Sequence, residues 1–205
     1  MMITNSQIRK MALASLKGRW GTAILVVFIN GAICSTVASI PVINFFSFLV
    51  TLPISYGLSI WFLDFLRSDG GKAPEIEVIF DGFKEYSRIF ITLFLSGLYT
   101  LLWGMLFIIP GIIKSLSYAM TPYILKDKPE LKNNEAIELS MDMMKGNKMQ
   151  LFLMTLNFTM WCILSIFTLC IALIWIIPYM QAATAAFYEE VKRDYESNKI
   201  ATVVE

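Results

Sequence analysis

The chain has 205 residues, 57% of them hydrophobic and only 16% charged, with a mean hydropathy of +0.63. A soluble domain carries about 45–50% apolar and about 25% charged residues, so an ordinary water-soluble globule is excluded and a bilayer becomes the expected solvent. A net charge of +1 offers no basic footprint for nucleic acid, and the absence of His removes the commonest general base and metal ligand.

The N-terminal segment places Ile8, Met11, Ala12 and Leu16 at helical spacing, with Asn5 or Ser6 available as a cap. Arg9, Lys10, Lys17 and Arg19 then precede an apolar run, as in a secretory signal. The run continues past Pro41 to Leu63, whereas a signal core spans about 7–15 residues. The segment is therefore expected to be retained. No charge occurs between Arg19 and Asp64, roughly 44 residues. As helix that is about 66 Å, twice the hydrocarbon thickness of about 30 Å. A hairpin uses that length, broken near Ser39-Ile40-Pro41, with Pro53 in its second limb.

Next, Ile76, Ile79, Phe80, Phe83 and Tyr86 recur as one helical face, with Pro74 placed where a first turn tolerates it. The middle apolar run leaves roughly 25 uncharged residues from Arg88 to Lys114, enough for one pass, or about 37 through Leu125 if Lys114 is included. A single crossing would put Lys126 to Lys148, with its five lysines, outside, against the positive-inside bias. Two short passes are expected instead. A third amphipathic stretch presents Ile137, Met141 and Met144. From Lys148 to Glu189 about 40 uncharged residues again supply two passes, about 60 Å of helix, with the break around Thr168 to Cys170.

The expected fold is all-α: six transmembrane helices as three kinked hairpins, joined by interfacial amphipathic helices lying at the headgroups. It forms a single membrane domain, 1–205, made of 1–64, 65–125 and 126–205, with both termini cytoplasmic. Every Lys and Arg but Lys114 then lies on one side. The three units look repeated. Their junctions read Leu16-Lys17-Gly18-Arg19-Trp20, Phe83-Lys84-Glu85-Tyr86 and Met144-Lys145-Gly146-Asn147-Lys148, and their prolines are Pro53, Pro110 and Pro178. These prolines imply kinks, since proline removes a helical hydrogen bond. Cys34, Cys162 and Cys170 sit in apolar stretches and read as small hydrophobes, with neither disulfide nor zinc spacing.

Lys114 is the unusual residue. A Lys at mid-bilayer costs about 2.5–3.5 kcal/mol on insertion scales and is a functional candidate by default, yet its stem can also snorkel to the headgroups. Two readings stand: a topology or lipid anchor, and a substrate or ion site. Asp64 and Glu189, at helix exits, are the nearest expected partners. Asn30, Asn44, Asn157 and Gln181 are uncharged polar groups inside apolar runs. Gly31, Ser35 and Ser39 are spaced by four, as are Ala182 and Ala186, permitting close helix approach. A polar pathway is the alternative use of these residues. Enzyme signatures such as H-E-x-x-H, G-x-S-x-G and the Walker A loop are absent, and Ser115 and Ser117 beside Lys114 are poor grounds for a Ser-Lys dyad. No cofactor is expected.

The run Pro110-Gly111-Ile112-Ile113-Lys114, then Tyr118 and Thr121-Pro122-Tyr123-Ile124-Leu125, resembles the DUF975 family of bacterial integral membrane proteins. So do Glu135-Ala136-Ile137 through Ser140, Met144-Lys145-Gly146, Pro178-Tyr179 with Ala186-Phe187-Tyr188, and the opening Leu16-Lys17-Gly18-Arg19-Trp20-Gly21. The chain is also distantly similar to the membrane region of some glycerophosphodiester phosphodiesterases. The DUF975 resemblance implies location and topology, in the plasma membrane of bacteria, but no reaction and no catalytic residues. The expected function is a non-enzymatic membrane protein acting through lipid or partner-protein contacts, a second copy included, as in envelope maintenance or protection against membrane-active peptides. The alternative is a small transporter or channel with a polar pathway near Lys114. The candidate functional residues are Lys114, Pro110, Gly111, Tyr118, Asn30, Asn157 and Gln181.

Overall fold

The structure, a computed structural model, describes residues 4–39, 47–68, 71–168 and 170–204. Nine α-helices are described: α1 Asn5–Leu16, α2 Trp20–Ser39, α3 Phe48–Arg67, α4 Tyr86–Leu106, α5 Ile108–Tyr118, α6 Thr121–Asp127, α7 Asn134–Met143, α8 Lys148–Leu164 and α9 Leu173–Val204. Short 3-10 helices span Ile76–Phe83 and Ser165–Thr168. Among the described residues four elements are long and apolar enough to cross a membrane: Trp20–Ser39, Phe48–Arg67, Tyr86–Leu106 and Lys148–Thr168. The other two expected limbs differ in build. α5 has 11 residues, about 16 Å of helix, half a hydrocarbon core. α9 continues without a break from its apolar start into a charged tail.

The helix starts follow local chemistry. Thr4, rather than Asn5 or Ser6, caps α1. The Gln7 backbone N–H donates to the Thr4 hydroxyl, and the Thr4 N–H donates to the Gln7 side-chain carbonyl, a reciprocal arrangement that satisfies two orphan donors. Gly18 and Gly146 adopt φ of +78° and +83°, a left-handed conformation that glycine enters without steric cost. Each turns an amphipathic helix into a long apolar one, α1 into α2 and α7 into α8.

Packing centres on α3. Over its membrane-length window 56% of residues are buried, against 11%, 17% and 22% for the windows of α2, α4 and α8. Trp61, Phe62, Leu63 and Phe65 are fully enclosed, wrapped by α1, α6, α9 and the first 3-10 helix. That 3-10 helix lies directly on the α3 backbone. A Cβ on Gly57 would stand 1.8 Å from the Ile79 carbonyl oxygen, and one on Gly82 would stand 2.2 Å from that of Pro53. The expected α-helical face over 76–86 is therefore corrected. The segment winds as a 3-10 helix, Ile79 is buried, and Phe80 and Phe83 stay exposed.

The amphipathic helices pack on protein as well. In α1, Ile8, Ala12 and Leu16 are wholly buried and pack along α9, while Ala136, Ile137 and Met143 of α7 are buried as well. These parts of their apolar faces are covered by protein, while Met11 of the expected α1 face is exposed. The small-residue pair Ala182 and Ala186 is wholly buried, as close approach requires. Gly31, by contrast, has open space where a Cβ would be, so its stripe on α2 serves no helix contact among the described residues.

The turns sit among exposed apolar side chains. Phe107, extended at φ −155° and ψ 136°, reverses α4 into α5. Leu101, Leu102, Met105, Leu106, Ile108 and Ile109 around it are all exposed. The turn between α8 and α9 falls at 165–172, where the sequence places it, and carries exposed Leu164, Ile166, Phe167 and Ile171. Cys170 there is exposed with φ +64°, not the buried hydrophobe expected. The break at Ile40-Pro41, and Asn44, lie outside the described residues. Pro53 and Pro178 fall inside α3 and α9. Pro110 is the third residue of α5, in the first turn, where a missing N–H costs no helical bond. It starts a helix rather than kinking one.

Candidate functional site

Lys114 projects from α5 toward α4 and α7. Its ammonium lies 5.3 Å from the ring centroid of Trp103 and 5.8 Å from that of Tyr118, with the Met141 sulfur at 3.8 Å. Aromatic faces attract a cation by about 0.5–2 kcal/mol, more as water is excluded. The backbone of the hairpin sets this arrangement. A Cβ on Gly111 would meet the Cα of Gly104 at 2.7 Å, so glycine at 111 lets α5 lie close enough to α4 for Trp103 to reach Lys114. Tyr118 is nearly buried and tilts against Tyr99 at 6.5 Å, and the Tyr99 hydroxyl bonds the Asn134 side-chain oxygen at 3.2 Å. On the same helix the Ser115 and Ser117 hydroxyls donate to the carbonyls of Ile112 and Ile113 at 2.8 and 2.7 Å.

The structure thus brings together Lys114, Gly111 and Tyr118, with Pro110 one residue before Gly111. The other expected residues lie elsewhere. The Asn157 side-chain oxygen on α8 accepts from Arg9 at 2.9 Å and ties down α1. Asn30, on α2, has its side-chain oxygen enclosed with no hydrogen-bond partner among the described residues. Gln181 lies on α9, half-buried.

Asp64 and Glu189 are not partners of Lys114. The first pairs with Lys126 at 3.2 Å and the second with Arg67 at 2.7 Å. The reason is that the C-terminal ends of α3 and α6 meet the middle of α9, which the sequence does not announce. At their meeting point is Asp127, its side chain 9% exposed. Arg67 grips both its oxygens at 2.7 and 2.8 Å, and Tyr188 and Lys192 reach one of them at 2.9 and 2.6 Å. Burial pushes the Asp127 carboxyl up, but the hydrogen bonds from Arg67 and Lys192 outweigh it and hold the group well below the usual carboxylate range. A fork-on-carboxylate pair of this kind fixes direction as well as distance. The available signal was that Arg67, Asp127 and Glu189 all stand just where long apolar runs end.

Two further arginines join elements at their ends. Arg19 donates to the Ser68 hydroxyl at 2.6 Å and to the carbonyls of Gly71 and Phe65 at 3.1 and 3.4 Å, and lies 4.0 Å over the Phe65 ring. Arg88 donates to the carbonyls of Leu125 and Leu131, both at 3.2 Å. Among the described residues no three His, Cys, Asp or Glu side chains gather as a metal site.

Apolar helices long enough to span a membrane define an all-helical membrane-embedded protein. Residues 1–117 and 105–195 match the family described as "Protein of unknown function (DUF975)", and the chain belongs to that family. No curated protein and no solved structure matches it.

Proposed function

We propose that this is a non-enzymatic protein of the bacterial plasma membrane that acts by contact, with lipid and with a partner membrane protein or a second copy, in envelope maintenance or protection against membrane-active peptides. In this reading six apolar limbs form three hairpins, and both termini face the cytoplasm. The single observation that supports it is the contrast in burial: α3 is enclosed, while α2, α4 and α8 turn most of their apolar surface outward. Surface of that kind has lipid or another helix as its natural neighbour. Charged groups pair with one another where α3 and α6 end against the charged half of α9, which suits a rigid frame better than a reaction centre.

Topology is the first test. With Cys34, Cys162 and Cys170 replaced, single cysteines at Ser68, Lys128 and Lys199 should react only with label admitted to the cytoplasmic side. External reaction at any of them overturns the arrangement. Transport is the second reading, supported by the lack of any carboxylate ion pair for Lys114 among the described residues.

A further inference from the structure

A cavity of about 120 Å³ opens where α6 and α7 meet the charged half of α9. Three lysines line it, Lys128, Lys192 and Lys199, together with Tyr188, Tyr195 and Glu196. Most acidic groups near the helix ends are already engaged: Asp127 by Arg67 and Lys192, Glu189 by Arg67, Glu190 by Arg193, Asp142 by Lys145. Lys128 and Lys199 have no ion pair among the described residues, and the exposed Glu196 has none either. The cavity therefore holds ammonium groups in excess of the carboxylates that face it. Like charges gathered on one cavity, Lys128 and Lys192 half-buried and Lys199 exposed, repel one another until an anion enters. The space is small: Lys128 just after α6 faces Lys192, Tyr195 and Lys199, which lie on successive turns of α9.

We infer that this cavity binds a phosphate-class anion, with Lys128 and Lys199 supplying the uncompensated charge, Tyr195 a hydroxyl donor and Lys192 a third ammonium shared with Asp127. Lys192 makes the site more than a passive one. It bonds Asp127 at 2.6 Å, so an anion in the cavity competes with Asp127 for the same ammonium. Occupancy thereby bears on the junction that ties α6 to α9. The anion can be a free phosphate or the headgroup of a phospholipid. The second case deepens the lipid-contact function proposed above; the first stands apart from it.

The test uses the whole protein. In neutral detergent at constant ionic strength, calorimetric titration with inorganic phosphate reports the soluble source. In bilayer discs, retention of phosphatidylglycerol over phosphatidylcholine reports the headgroup. The Lys128→Gln/Lys199→Gln double variant should weaken whichever binding is found by about tenfold per lysine, the scale of a charged hydrogen bond. Lys84→Gln, exposed and far along the chain, should leave it unchanged. Saturable phosphate binding assigns a soluble ligand, and phosphatidylglycerol selectivity alone assigns a lipid. Binding of neither probe, or binding that the double variant keeps at full strength while retaining the wild-type melting temperature, overturns the site.

Discussion

The Tyr86 hydroxyl donates to the carbonyl of Leu49 at 3.1 Å, and Leu49 stands four residues before Pro53. In a regular helix the N–H of residue 53 would bond that carbonyl, but proline has none. Tyr86 supplies the missing donor from the next element. It is positioned for this by a run of ring contacts through Phe83, Phe90, Phe94 and Phe48, with centroids 5.3–6.1 Å apart. Tyr86→Phe should cost about 1 kcal/mol, the low end of the penalty for an unpaired acceptor because this bond is only partly buried. In a Pro53→Ala background the new N–H restores the helical bond, so the same Tyr86→Phe change should cost a few tenths or nothing. A thermal-unfolding cycle in detergent reads the coupling, and additive losses would show that the two positions act independently.

Gly57 and Gly97 occupy the interiors of α3 and α4, yet they should respond oppositely to alanine. At Gly57 the new Cβ meets the Ile79 carbonyl at 1.8 Å, and backbone must move. At Gly97 nothing lies within 4 Å. Gly97→Ala should raise the melting temperature slightly, since alanine is favoured over glycine in a helix by about 1 kcal/mol. Gly57→Ala should lose about 1–3 kcal/mol through overpacking and expose the segment 71–85 to limited proteolysis. Equal behaviour of the two variants would mean that the 3-10 helix does not rest on α3.

Hydrophobic length and the spacing of charges made much of this architecture legible. Four long apolar helices among the described residues, the turn near Thr168, and the face Ile8, Ala12 and Leu16, without the exposed Met11, follow from period and composition. What stayed hidden depended on which elements meet. Asp127 reads in sequence as one acid among many at a helix exit. Its importance arises only because α3 and α9 bring Arg67, Tyr188 and Lys192 to it. The 3-10 form of Ile76–Phe83 was illegible for a similar reason, since glycines at 57 and 82 let two backbones touch where periodicity alone describes an α-helix. Lys114 stands out in the sequence as a charge within an apolar run, but its neighbours are rings and a thioether, contacts that charge arithmetic does not anticipate.

Asp127 gives the protein an acid-sensitive joint. Its carboxyl is held below the ordinary value of about 3.9 that it has when unfolded. The folded state therefore binds fewer protons than the unfolded one in that range, and stability contributed by the group is complete above about pH 4 and declines as pH falls further. Asp127→Ala should remove about 2–3 kcal/mol at neutral pH, toward the low end of the cost of unpairing a buried charge because Arg67 is partly exposed. Melting temperature from pH 7 to pH 3 should fall more steeply for the wild type than for Asp127→Asn below about pH 4. Parallel profiles would remove Asp127 from the acid response.

Lys114 separates anchoring from transport. If its ammonium serves as a cation held by Trp103 and Tyr118, then Lys114→Met keeps the stem, loses only the ring attraction, and should destabilise by about 1 kcal/mol or less. Lys114→Glu places an anion against the negative faces of the same two rings, in a half-buried position, and should cost several times more. In a Trp103→Leu background the Lys114→Met change should cost almost nothing, because the stronger of the two ring partners is then gone. The comparison is made twice, by melting in detergent and by ion leak from reconstituted vesicles. Vesicles carrying the wild type should hold a potassium or proton gradient as well as those carrying Lys114→Met. A flux that the wild type supports and Lys114→Met abolishes, with both proteins equally stable, would replace the anchoring role with a conducting one.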